Sequence, residues 1–402
     1  MRAEAPARRL SAAALLGYAL AATGGIIGYT PLLTLLLPIK LQAFAPATRY
    51  PLLVACSVAG ALAAGFANIG FGWLGDRSVA RGGGRRGWLL AGLTATAASF
   101  AAIAFARHAG SIVAAIVAFQ IAVNALLAQV SALIAEEVPA EQKNTAAGLL
   151  TLGAPLAAAA SALVVSLSAS EGARLALVAA LMIACVAPLL LGPARALVPA
   201  TVPVEEAAHA RHALAVAWAT RLLVQVANSG VGLCLFFFFA RAIGDARDAP
   251  AIVAQLLLVA TIVPVPIALL LGRWSDRIGH RERFLAATAL LGAAGLLGMV
   301  GFRDWRMAAA SYIAFASGVA IYQALNTGHA MLLLPRGAGP GRNLGLLNLA
   351  NTLPQVVAPL LALIASAGDF SAVLLLFAAL TLAAALLPAL LKTRRTAPSY
   401  PG

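Results

Sequence analysis

Long apolar runs alternate with short charged segments along the whole chain. Each run is long enough to cross the hydrocarbon core of a bilayer as a helix, which needs about 20 residues. The pattern predicts an all-α integral membrane protein with twelve transmembrane helices. The predicted spans 1 to 12 cover residues 11–37, 51–74, 88–106, 110–135, 144–167, 174–192, 213–240, 250–272, 284–302, 307–334, 343–366 and 371–391.

The composition supports this interpretation. The 402 residues are 62% apolar and only 10% charged, with a mean hydropathy of +0.92, whereas a soluble domain carries about 25% charged residues. A soluble enzyme, a disordered protein and a disulfide scaffold are therefore excluded. Phosphate-binding, zinc-protease, nucleophile-elbow and redox CxxC motifs do not occur. We therefore expect no enzyme activity, no cofactor and no metal site.

The distribution of positive charge predicts the orientation in the membrane. The net charge is +14, which in a soluble protein would indicate a nucleic-acid partner. Here the two tails and the loops on one side hold 19 Lys and Arg, and the loops on the other side hold 8. The positive-inside rule then places both termini in the cytoplasm, in an inner (plasma) membrane. We expect a multi-pass monomer with the lipid bilayer as its surroundings and no nucleic-acid partner.

The two halves of the sequence repeat each other. The paired motifs are Gly72-Trp-Leu-Gly-Asp76-Arg77 and Gly272-Arg-Trp-Ser-Asp276-Arg277 at the ends of spans 2 and 8, and Lys143-Asn144 and Arg342-Asn343 at the starts of spans 5 and 11. The two aspartates lie 200 residues apart. This spacing predicts two six-helix bundles, residues 1–192 and 213–402, joined by a cytoplasmic linker over 193–212. Such repeats are typical of secondary transporters.

These loops resemble those of the major facilitator superfamily. The second copy, from Gly272 to Arg281, follows the superfamily pattern G-x-x-x-D-R-x-G-R-R. The first copy, Asp76 to Trp88, is longer and is similar to the loop of the glycoside–pentoside–hexuronide group and its sucrose-transporter relatives. The resemblance covers essentially the whole chain. It implies two pseudo-symmetric bundles that transport a solute by alternating access.

The resemblance also implies a gating role for the repeated loops. Asp76 would meet Arg77 or Arg86 and the N-terminal dipole of a neighbouring helix, and would hold the inner gate closed. The expected gating residues are Asp76, Arg77, Arg85, Arg86, Asp276, Arg277 and Arg281. The alternative is that the arginines only anchor the topology, and both roles are compatible.

Polar side chains within the spans indicate where a solute would bind. An amide side chain that faces lipid is energetically costly unless it is paired. Spans 3, 6, 9 and 12 contain no amide or histidine, so we expect these four spans to face the lipid. The expected substrate-binding residues lie on spans 4, 7 and 10 and are Gln120, Asn124, Gln225, Asn228, Tyr322, Gln323, Asn326 and His329. The alternative is that these amides only join helices.

Amides with an aromatic rim suit a neutral polyhydroxylated solute, because each hydroxyl needs a donor and an acceptor. A neutral sugar or glycoside is therefore the expected solute. Efflux of amphipathic drugs or metabolites is the alternative within transport. A non-transporting membrane receptor or lipid-handling protein is the alternative outside it.

Ionisable groups inside spans are few. No carboxylate falls inside a predicted span. The cation-coupled members of the resembled group have acidic residues in spans 2 and 4. In the same spans this chain has the neutral amides Asn68 and Asn124. Facilitated diffusion is therefore favoured, while coupling to a proton or cation through His329 stays open. Arg221 lies about two turns into span 7. It either extends to the headgroups or binds an anionic solute.

Overall fold

A computed structural model describes residues 9–167, 170–193, 195, 207–243, 249–278, 281–334, 339–355, 357 and 370–392. The helices, numbered by span, are α1 Ala12–Leu41, α2 Pro46–Ala80, α3 Arg86–Phe105, α4 Ala109–Glu137, α5 with the segments Lys143–Leu149 and Gly153–Leu167, α6 Glu171–Leu191, α7 Ala207–Ile243, α8 with the segments Ala249–Ile262 and Pro264–Ile278, α9 Arg281–Gly301, α10 Trp305–Leu332, α11 Pro340–Thr352 and α12 Phe370–Lys392.

The predicted all-helical membrane fold is confirmed. Within the described residues, 11 helices are long and apolar enough to cross a membrane. The predicted span 343–366 begins in α11, and its second half lies outside the described residues. Helices satisfy their own backbone hydrogen bonds, which is why an apolar chain of this kind folds into helices in lipid.

Two hydrophobic cores divide the described helices. The first is built mainly by α1 to α6 around Phe100 and Phe119 and also includes Leu344 and Leu347 of α11, and the second is built by α7 to α10 and α12 around Phe239, Phe315 and Phe377. The division into bundles at residues 1–192 and 213–402 stays a prediction. Most of the linker 193–212 lies outside the described residues, so its boundaries stay a prediction.

Proline interrupts two of the helices. A π-helical turn, Leu32–Leu36, follows Pro31 in α1, and α8 is broken between Ile262 and Pro264. Proline has no backbone N–H and its ring pushes away the preceding turn, so each break follows directly from the sequence.

The two halves meet most closely at one end of the molecule. There α2 packs against α11, and α5 packs against α8 and α10. This end, at which α2 and α8 finish and α5 and α11 begin, is called the gate end. Hydrogen bonds of Asp76, Lys143, Asp276 and Arg281 join the halves at the gate end.

Candidate functional site: a two-latch gate and an amide cluster

Asp76 of the first half caps a helix of the second half. Its Oδ1 accepts a hydrogen bond from the backbone N–H of Gly341 at 2.9 Å, and its Oδ2 accepts one from Arg342 at 2.9 Å. Both N–H groups belong to the first turn of α11, where they have no partner within the helix. A carboxylate at this position is also attracted by the positive end of the helix dipole. We call this contact the first latch.

Arg85 holds the first latch in place. Its Nη2 bonds Asp76 Oδ1 at 2.5 Å and Glu136 Oε1 at 2.7 Å, while its Nε bonds Glu136 Oε2 at 2.6 Å. Burial alone would lower the pKa of the guanidinium, but the bonds to Glu136 and Asp76 outweigh it and raise that pKa above its usual value. Arg85 therefore remains charged and fixes the carboxylate of Asp76 towards α11.

Asp276 forms the second latch in the opposite direction. Its Oδ2 accepts from the backbone N–H and the hydroxyl of Thr145 at 2.8 and 2.9 Å, and its Oδ1 accepts from the N–H of Asn144 at 3.3 Å. These donors begin α5 in the first half. Arg281 Nη2 lies 3.6 Å from Asp276 Oδ1 and donates to the carbonyl of Ala140 at 3.4 Å. Each half thus supplies the aspartate that caps a helix of the other.

A buried lysine adds a third link across the gate end. Lys143 Nζ donates to the carbonyl of Ala135 at 2.9 Å and to the carbonyl of Met331 at 3.2 Å. Met331 is in the last turn of α10, so this side chain ties α4 and α5 to the second half.

Glycines allow the helix backbones to touch at both latches. A Cβ on Gly72 would collide with the carbonyl group of Gly341, and one on Gly272 would lie 2.6 Å from the carbonyl oxygen of Asn144. Backbone atoms cannot move aside as a flexible side chain can. The glycines of the repeated motif therefore set how closely the halves can approach.

The other predicted gating arginines lie outside the latches. Arg77 lies over the ring of Trp73 at 5.4 Å. Arg86 donates to carbonyl groups at the end of α6, including that of Pro193 at 2.6 Å. Arg277 is exposed. The expected partner of Asp76 was Arg77 or Arg86, whereas the structure places Arg85 there, because α3 begins at Arg86 and directs the preceding side chain inward.

The importance of Arg85 leads to a stability prediction. Arg85→Gln leaves two nearly buried carboxylates without a cation, and breaking such a pair costs about 3–5 kcal/mol. We expect a clear fall in melting temperature of the purified protein in detergent, with partial recovery in Arg85→Lys. Arg81→Gln removes an exposed charge from the same loop and serves as the control. Equal melting temperatures for the two glutamine variants would contradict the role given to Arg85.

Polar side chains from α7, α10 and α11 form a second constellation. This amide cluster consists of Arg221, Gln225, Gln323, Thr327, Asn348 and Asn351. Gln323 Nε2 bonds Gln225 Oε1 at 2.5 Å, and Gln225 Nε2 bonds Asn351 Oδ1 at 3.2 Å. Asn351 Nδ2 in turn bonds Asn348 Oδ1 at 2.8 Å. The glutamines and asparagines of the cluster are only half-buried, so they remain within reach of a ligand.

Arg221 belongs to this cluster and does not extend to the headgroups. Its Nε donates to Asn351 Oδ1 at 3.1 Å, and its Nη1 donates to Thr327 Oγ1 at 2.8 Å and Asn326 Oδ1 at 3.4 Å. Only 8% of its surface is exposed. The interpretation of Arg221 as a snorkelling side chain is therefore wrong.

The predicted residues of α10 fall on two different faces. Gln323 joins the amide cluster, whereas Tyr322, Asn326 and His329 line a separate cavity of about 130 Å³ inside the second half, between α7, α9, α10 and α12. Asn326 lies between the amide cluster and this cavity. Its Oδ1 accepts from Arg221 of the cluster at 3.4 Å, and its Nδ2 donates at 3.2 Å to the carbonyl of Ala217, which lines the cavity. The structure does not bring all four side chains to one ligand-binding surface.

The remaining predicted binding residues lie on α4 and α7. Asn124 joins α4 to α2, because its Oδ1 accepts from Asn68 Nδ2 at 3.2 Å. Within α4, Asn124 Nδ2 donates to the backbone carbonyl of Gln120 at 2.9 Å. Asn228 is half-buried on α7, one turn beyond Gln225. A binding role for these residues stays a prediction.

Three residues of these networks are not among the predicted site residues. They are Glu136, Thr327 and Asn351, and each completes a network described above. The signal for Thr327 was available, since it lies four residues after Gln323 and therefore on the same helix face. Nothing in the sequence pairs Glu136 with Arg85.

The fold is shared with transporters of known structure. Structures of major facilitator transporters superpose on this chain over nearly its full length. They include the human organic anion transporter MFSD10 (TETRAN), with a TM-score of 0.74, 14% identity, and coverage of 94% of this chain and 100% of that one.

Two sugar symporters share the same fold. The proton:xylose symporter XylE has a TM-score of 0.70 at 13% identity, covering 96% of this chain and 97% of its own. FucP, solved in the outward conformation, has a TM-score of 0.69 at 14% identity, covering 93% and 98%. Identities this low establish the fold alone.

The family model of the Major Facilitator Superfamily matches residues 234–401. No curated protein matches the sequence significantly. The match lies in the C-terminal half of the chain, and the solved structures show that the fold is that of the major facilitator transporters.

Proposed function

We propose that this chain is a secondary transporter that moves a small polyhydroxylated solute, of the sugar or glycoside class, by alternating access. The observation that carries the proposal is the pair of reciprocal latches. Asp76 caps α11 and Asp276 caps α5, so each bond crosses from one half to the other. Such bonds form when the gate end closes and break when the halves rock apart, which is what alternating access requires.

The positive-inside prediction makes the gate end cytoplasmic. With both latches formed, we infer an outward-facing state in which the solute enters from outside. The similar FucP structure, solved in the outward conformation, is compatible with this assignment.

The amide cluster supports a hydroxylated solute. Its amide groups offer both donors and acceptors, as hydroxyl groups need. XylE and FucP are sugar:proton symporters. This chain lacks a carboxylate inside its described spans away from the helix ends, and we therefore propose a facilitator that equilibrates its solute.

The direct test is uptake of labelled mono- and disaccharides into proteoliposomes, with and without an imposed pH gradient. We expect uptake that reaches equilibrium and does not respond to the gradient. Accumulation driven by the gradient would contradict the uncoupled mechanism. Uptake no faster than in protein-free liposomes for all the sugars would overturn the sugar class.

The amide cluster can be tested by a matched pair of variants. Gln225→Leu removes the side chain that connects Gln323 to Asn351, and each hydrogen bond of this kind contributes about 0.5–1.5 kcal/mol. We expect sugar flux to fall by about tenfold or more. Gln255→Leu makes the same change at an exposed position of α8 and should leave flux unchanged. Equal flux in both variants would exclude the cluster as the binding site.

A further inference from the structure

Arg221 has a setting that structural needs alone do not explain. Its guanidinium lies within α7 and is buried, and no carboxylate of the described residues forms an ion pair with it. An unpaired cation in a membrane span is expensive, and such groups usually mark ligand or ion sites. A neutral side chain could join the same helices at lower cost.

The neighbours of Arg221 orient its charge without neutralising it. Asn351, Asn326 and Thr327 accept from its Nε and Nη1. All three acceptors are neutral side chains. Nη2 donates to none of the described residues, which leaves a fixed, oriented donor for another group.

The charge also sets the direction of the amide network. Asn351 Oδ1 accepts hydrogen bonds from Arg221 and from Gln225. This fixes the orientation of the amide group, so Asn351 Nδ2 points away from Arg221 and donates to Asn348 Oδ1. Gln225 likewise accepts from Gln323 through its oxygen. The amide oxygens of Asn351 and Gln225 therefore already accept hydrogen bonds within the cluster. The cluster remains electropositive in surroundings of low dielectric, where it attracts anions and repels cations.

We propose that Arg221 binds an anionic group of the solute, so that within the sugar class the transporter prefers an acidic or phosphorylated sugar to the neutral sugar with the same ring. The proposal rests on the transport function given above and refines its substrate class. A carboxylate or a phosphate matches the planar fork of a guanidinium. The amides beside it then bind the hydroxyl groups of the same molecule.

Three ligands that share one sugar ring test the proposal. Glucose, glucuronate and glucose 6-phosphate differ at one carbon, which carries a neutral, a carboxylate or a phosphate group. Thermal stabilisation of the purified protein by each ligand measures binding without requiring transport. We expect glucuronate or glucose 6-phosphate to bind at least about tenfold more tightly than glucose, as expected for a charge-assisted hydrogen bond. The stronger of the two identifies the anionic group.

Variants then assign the selectivity to Arg221. Arg221→Gln should bind all three ligands alike, and Arg221→Lys should keep part of the preference for the anion. Arg306→Gln removes an exposed arginine at the opposite end of the second half and should behave as the wild type. A purely structural role would lower the melting temperature of Arg221→Gln while leaving the ligand preference intact.

The remaining outcomes are equally decisive. Equal stabilisation by glucose and both anions in the wild type, or stabilisation by neither anion, would overturn the anion assignment. The transport function is judged separately by opening of the gate, which needs no solute. If the gate end opens but the protein binds neither anion, the proposed transport function is retained and only the anion assignment is wrong.

Discussion

Asp76→Asn combined with Asp276→Asn is expected to open the gate end and to slow transport at least tenfold. Each substitution keeps the side-chain shape but removes the charge that caps α11 or α5. A charge at a helix N-terminus contributes up to about 2 kcal/mol in partly buried geometry. Each single variant should therefore shift the equilibrium between closed and open gate by about tenfold.

The shift can be measured directly as a distance. Ala80 and Ile278 are exposed residues at the gate end, one in each half, and can carry spin labels after substitution by cysteine. Pulsed electron resonance should show a single short distance in the parent protein and a longer population in the double variant. The native cysteines Cys56, Cys185 and Cys234 are replaced first.

A helix-capping aspartate that does not cross the halves provides the control. Asp304 caps α10 by accepting from the N–H of Arg306 at 3.1 Å, within the second half. Asp304→Asn should leave both the distance and the flux unchanged. If the double latch variant showed the distance distribution of the parent, the proposed gate would be wrong.

Gly72→Val is expected to abolish transport by preventing closure. The new side chain would meet the carbonyl of Gly341, which is backbone and cannot rotate away. Overpacking of a tight contact costs about 1–3 kcal/mol even when the neighbours can adjust. Here the easiest relief is separation of α2 from α11, so the protein should remain folded with its gate end open.

The same helix offers a matched control. A Cβ on Gly70 would have no atom within 4 Å, so Gly70→Val adds the same bulk to α2 without a clash. Spin-label distances and uptake rates should separate the two variants. A Gly72→Val protein with normal uptake would show that the close approach at the first latch is dispensable.

Much of the fold follows from the sequence alone. The apolar runs predict the helices because lipid requires a backbone that satisfies its own hydrogen bonds. The repeated Gly72 and Gly272 motifs predict two equivalent structural units, and the structure places both at the same end. The proline breaks in α1 and α8 are also local consequences of residue type.

The tertiary structure decided which side chains meet. Several arginines of one loop carry the same charge, and only the start of α3 selects Arg85 as the partner of Asp76. Residues of α10 that are three or four positions apart share a face of the helix. This spacing defines one polar face with Gln323 and another with His329, but it does not determine which of them faces α7 and α11. That choice depends on helix rotation, which packing sets. It explains why Gln323 joins Gln225 while His329 lines another cavity.

The position of the Arg221 side chain also could not be decided from the sequence. The long stem of an arginine in this part of span 7 can extend either to the lipid headgroups or into the protein interior. Burial was decided by Asn351 and Thr327, which come from distant parts of the chain and together receive its hydrogen bonds. The sequence by itself determined the spans, the repeat and the all-helical membrane fold. The pairing of charges and amides was determined by three-dimensional packing, because those energies depend on distances between helices that no local pattern contains.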